Sequence, residues 1–125
     1  MIKNYNKQKY LKNYCSTPLG IYAHLKQGAK RRNLIMFFNK DEFVKWYKQQ
    51  KQQCYYCKRT LKELKKDKRE HANLKIRFSI ERKNNKIGYK LNNIVLACSR
   101  CNTIKSDYFT EKEMIKIGYL ISHFI

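Results

Sequence analysis

The chain has 125 residues, 29 Lys or Arg against 9 Asp or Glu, and a formal charge of +20 with a sequence pI near 9.9. That length bounds it to about one domain with a small core that benefits from a metal or a cross-link. The charge far exceeds what solubility needs and points to a polyanionic partner, nucleic acid or an anionic membrane face. No apolar run reaches the length of a membrane span, and the start, MIKNYNKQKY, lacks the apolar stretch of a secretory signal. The expectation is an intracellular, non-secreted protein without membrane contact.

Residues 1–40 hold nine Lys or Arg and no acid, and residues 1–38 read as a basic arm with one helix. Thr17-Pro18 supplies an N-cap with proline at the first helical position, and Leu19, Tyr22, Leu25 and Ala29 fall near one face. Lys26, Lys30, Arg31 and Arg32 close that helix. Cations there suit the helix dipole, and at this density they also form a phosphate-facing surface.

Residues 39–125 read as a second region. Asn39 with Glu42 forms a capping box, followed by Phe43, Val44, Trp46 and Tyr47 on a broad core stripe. The pair Cys54-x-x-Cys57 comes next, then Thr60 and Glu63 as a capping box for a short, highly charged helix or loop reaching about Glu70, where little order is expected. From Lys75 to Glu81 the residues alternate, with Ile76, Phe78 and Ile80 on one face and Lys75, Arg77, Ser79 and Glu81 on the other. This predicts a half-buried strand whose polar face ends at Glu81. A turn-rich loop follows, and Asn93–Ala97 is an apolar run of strand length leading into Cys98-x-x-Cys101. One helix is predicted to begin near Cys101, and a last one is marked by Thr110, Glu113, Met114, Ile117 and Ile121.

Two C-x-x-C knuckles suit a tetrahedral thiolate site, so Cys54, Cys57, Cys98 and Cys101 are the candidate ligands of a structural Zn²⁺. Disulfides are disfavoured without an export signal, and one redox pair would leave the other unexplained. Cys15 reads as a partly buried bystander. Glu81 is the sole acid between His71 and Ser106, in company with eight cations. A surface glutamate among lysines is ordinarily a weak salt-bridge partner. Its place at a strand end, with the carboxyamide of Asn102 directly after the last cysteine, favours a metal ligand instead.

The pattern "CYYC" followed by "SIERKNNKIGYKLNNIVLACSRCNTIKSD" resembles the zinc-containing HNH endonucleases, over about residues 40 to 115. The resemblance implies an α+β fold, a zinc-stapled ββα-metal unit with additional N-terminal and C-terminal helices. It implies a metal-dependent endonuclease that hydrolyses nucleic acid phosphodiesters, DNA rather than RNA. Carried over by position, Glu81 and Asn102 become ligands of a catalytic Mg²⁺ or Mn²⁺, and Asn93 a loop-tying residue. Arg82 stands where the family has its general-base histidine, and an arginine is never neutral enough for that work. Arg82 is then a phosphate clamp, with Tyr89 or His71 as substitute bases, or the protein is a catalytically weak or inactive HNH-fold zinc protein that binds nucleic acid within a larger RNA-containing or transcription assembly. His24 and His123 read as ordinary helix residues. Lys83, Arg100 and Lys105 are the cations nearest the site and candidate phosphate contacts, and the small size leaves room for a homodimer or larger assembly.

Overall fold

In the computed structural model, residues 14–67 and 77–124 are described. His71, the start of the predicted strand and the first part of the basic arm lie outside them. The chain divides into two compact units, one of Met1–Gln50 with Tyr89–Leu91 and the other of Lys51–Gly88 with Asn92–Ile125.

The first unit is built on α1 (Pro18–Arg31) and α2 (Lys40–Lys48). The Thr17 side chain accepts from Gly20 N, and Asn39 with Glu42 forms the reciprocal capping box. The buried stripe of α1 includes Ile21, Leu25 and Ala29, spaced by four, with Gly28 beside it, whereas Leu19 lies off that stripe and is exposed. Phe43 is fully buried at the centre of an aromatic cluster, with Tyr22, Phe38 and Trp46 each 5.7 Å away between ring centroids. Tyr89 returns to this unit through a parallel bridge to Met36, its backbone bonded to Ile35 and Phe37.

The second unit contains α3 (Leu61–Lys66), β1 (Ser79–Arg82), β2 (Ile94–Ala97), α4 (Ser99–Lys105) and α5 (Glu111–Ser122). The stretch after Thr60, expected to have little order, forms α3 because its capping box closes and Leu64 is buried. The two strands pair antiparallel, with Glu81 opposite Val95 and Arg82 opposite Ile94. All four residues of β2 are buried, whereas β1 is only partly so. The departure from the expected pattern is in which residues turn inward: Phe78 is buried as predicted, but Ile80 is partly exposed and Glu81, expected on the polar face, is only 6 % exposed. α4 begins slightly before the predicted point because Cys98 is itself the N-cap, its sulfur accepting from Cys101 N.

Gly118 of α5 has a structural task. A Cβ there would stand 2.3 Å from Tyr56 O and 2.9 Å from Cys57 N, so the helix backbone lies directly on the first knuckle.

Candidate metal centre and active site

The first knuckle is a tight turn in which Lys58 N bonds to Cys54 O and Cys54 N to Arg59 O, while Tyr55 N donates to Leu96 O of β2. Lys58 takes a positive φ of 64° to make that turn. The second knuckle straddles the β2-to-α4 junction. Together they bring the sulfurs of Cys54, Cys57, Cys98 and Cys101 within 4.8 Å of one another, all buried. A zinc tetrahedron with bonds of about 2.3 Å has edges of about 3.8 Å, and the Cys57–Cys98 separation is 3.9 Å. The four residues therefore fit one ion. Hydrogen bonding from Cys101 draws the Cys57 thiol far below its usual range and brings Cys54 to about 7, whereas hydrogen bonding to Cys54 holds Cys101 high. Cys15 takes no part and is exposed.

Arg59, two residues past the knuckle, was not singled out by the sequence pattern. It is 2 % exposed, its Nε donates to Cys57 Sγ at 3.2 Å, and its other arm pairs with Asp67 at 3.1 Å. Four thiolates around a divalent ion leave two excess negative charges, and a buried guanidinium offsets part of them.

Glu81 is met from both sides. Tyr56 OH donates to its Oε2 and Lys105 Nζ lies 2.9 Å from its Oε1. Burial and the Glu81 carboxylate hold the Tyr56 phenol well above its ordinary range, so it acts as donor. Lys105 was expected to reach phosphate, but it is 1 % exposed and its ammonium also donates to Arg82 O at 3.1 Å and Asn85 Oδ1 at 3.2 Å. An ammonium thus occupies an oxygen-lined cation position. A divalent ion on Glu81 Oε1 would have to share that oxygen with the ammonium or displace it.

Asn102, one turn before Lys105 on α4, is exposed and its side chain makes no hydrogen bond among the described residues. The structure therefore joins Glu81 with Lys105, Asn85 and Tyr56, and leaves Asn102 facing outward. Asn93 ties the loop after β1: its Oδ1 accepts from Asn84 N, and its Nδ2 donates to Asn84 O and Gly88 O, each at 3.1 Å. Arg82 works on the same loop, donating to Asn85 O at 2.8 Å and Ile87 O at 3.0 Å. Asn85 is a hub that sequence reasoning passed over, since its amide also donates to Ser106 O and Asp107 Oδ1. Its only signal was a second asparagine inside a polar turn.

Tyr89, one proposed substitute base, is 2 % exposed and its hydroxyl accepts from Arg32. Arg32 also donates from Nε to Gly28 O, while Lys26, Lys30 and Arg31 are exposed along the last turns of α1. Lys83 and Arg100 are both partly exposed. His123 caps α5, its Nδ1 lying 2.7 Å from Tyr119 O.

Across solved structures, the chain is similar to the rare-cutting HNH restriction endonuclease PacI, with 28% identity and a TM-score of 0.70 over 82% of this chain and 75% of that one. The fold is HNH-type. The two strands and α4 form the ββα unit that the resemblance implied, with the second knuckle at the β2-to-α4 junction and the first bonded to β2 through Tyr55 N. No family model matches the chain, and no curated protein matches it. No helix among the described residues is long and apolar enough to cross a membrane.

Proposed function

We propose that the protein is an HNH-type endonuclease directed at DNA phosphodiesters, with one structural zinc on Cys54, Cys57, Cys98 and Cys101. The similarity to an HNH restriction endonuclease over most of both chains carries this reading, and the charge of +20 fits a polyanionic substrate. The zinc closes the knuckles and aligns β2 with α4. Asn93 and Arg82 hold the loop after β1 in one conformation, and Asn102 is the exposed polar side chain of the motif left to meet a phosphate. Lys26, Lys30, Arg31, Lys83 and Arg100 add cations for the DNA backbone.

A second reading is that the protein binds nucleic acid without turnover. It is favoured by the engagement of both Glu81 oxygens inside the protein, Oε2 by the Tyr56 hydroxyl and Oε1 by the Lys105 ammonium. Plasmid nicking in Mg²⁺ or Mn²⁺ separates the two. For the endonuclease, wild type nicks, and Asn102→Ala slows nicking by roughly a hundredfold with unchanged thermal stability. If wild type retains DNA without nicking it in either ion, the binding reading replaces the endonuclease.

A further inference from the structure

A groove of about 390 Å³ lies in the second unit, between the turn after β1 and the connection from α4 to α5. Its walls include Lys83, Asn84, Lys86, Tyr108, Phe109 and Lys112. The volume is near the low end of roughly 300–1,000 Å³ for small-ligand sites, room for a single base and not for a duplex.

Three features describe its ligand. First, the lining is net cationic, three lysines against two acids. Lys83, Lys86 and Lys112 make no ion pair among the described residues. The two acids of the lining are already engaged: Asp107 accepts from Asn85 Nδ2 and Glu111 from the Tyr55 hydroxyl, both at 2.7 Å. Second, Tyr108 is 83% exposed, yet it is set edge-on against Phe109, with centroids 4.8 Å apart and planes at 83°. The ring is open to solvent and meets Phe109 at one side only among the ring contacts of the described residues. Third, the turn that presents this ring is held in an uncommon backbone state. Ser106 has φ 45° and ψ −140°, a region that favours glycine, and it is kept there by Asn85 Nδ2 on its carbonyl and by its own N–H on Asn102 O. Such outliers persist where surrounding contacts over-determine them and are concentrated at ligand sites.

We propose that this groove binds an unpaired nucleobase stacked on Tyr108, with the flanking phosphates on Lys83, Lys86 and Lys112. The proposal rests on the reading of the protein as nucleic-acid-directed and adds a substrate feature to it. Stacking on an aromatic platform is tolerant of base identity because each base has a π face. The site therefore senses strand separation, not sequence.

Fluorescence anisotropy without added divalent ion tests this, using a short oligothymidylate, an abasic oligomer of equal length and charge, and a short duplex. Wild type is expected to prefer the base-bearing strand over the abasic one by about tenfold. Tyr108→Ala abolishes the preference, Tyr108→Phe keeps it, and Lys86→Ala weakens both single strands alike. Equal binding of the two single strands by wild type, or an undiminished preference in Tyr108→Ala, overturns the groove while duplex affinity stays intact. Failure to bind any of the three overturns the nucleic-acid reading beneath it.

Discussion

The four cysteine sulfurs and the Glu81 carboxylate are both buried anionic centres of the second unit, and they are completed in opposite ways. Glu81 receives its cation from the chain itself, through Lys105, and a neutral donor from Tyr56. Among the described residues the cysteines receive one cationic donor, Arg59, itself shared with Asp67, and the backbone N–H of Cys101 on Cys98 Sγ. A centre with its own counter-charge acquires its geometry on folding. The other, under the zinc reading, takes its counter-charge from solution, and the fold around it would then depend on that ion too.

The largest effect should come from the cysteines. Structural zinc binding is worth about 10–16 kcal/mol in small domains, so stripping the metal or making Cys57→Ser should abolish the cooperative unfolding of the second unit. Circular dichroism during chelator titration reads this, and a second unit that melts unchanged after metal removal would break the contrast with Glu81. Next comes Lys105→Met, which strands a buried carboxylate at a cost of about 3–5 kcal/mol. The double variant Glu81→Gln/Lys105→Met should regain most of that in urea unfolding. Equal destabilisation of the single and double variants would mean that the pair is not coupled. Smallest is Gly118→Ala, in which the new methyl meets the Tyr56 carbonyl at 2.3 Å. It should cost about 1–3 kcal/mol and speed zinc release to a chromophoric chelator. Unchanged release would separate α5 from the knuckle.

Local chemistry was the most legible part of the sequence. The capping boxes at Asn39, Thr60 and Thr110 all close, and Thr17 caps ahead of Pro18 as read. These depend on residues three apart and need no tertiary knowledge. The cysteine cluster was legible because ligand spacing is itself a geometric constraint. The environment of Glu81 was not. Period-two alternation says which residues share a face but not whether both faces are covered, and the covering groups, Tyr56 and Lys105, lie 25 and 24 residues away in opposite directions. Lysine also reads as surface by default, so nothing short of the fold reveals a buried one. Leu19 was misplaced for a simpler reason: a helix that carries apolar residues at several angles allows more than one stripe, and packing selects Ile21, Leu25 and Ala29.

The spacing of the knuckles has a consequence for synthesis. Cys98 follows Cys57 by 41 residues, which at about 5–20 residues per second takes roughly 2–8 s on the ribosome. During that interval the nascent chain offers half a site, two thiols with no partners, to whatever metals and oxidants it meets. Under the zinc reading the site is complete in sequence once Cys101 has emerged, ahead of α5, whose Gly118 lies against the first knuckle. All four proposed ligands thus precede α5, the helix that packs on the first knuckle, in the order of synthesis.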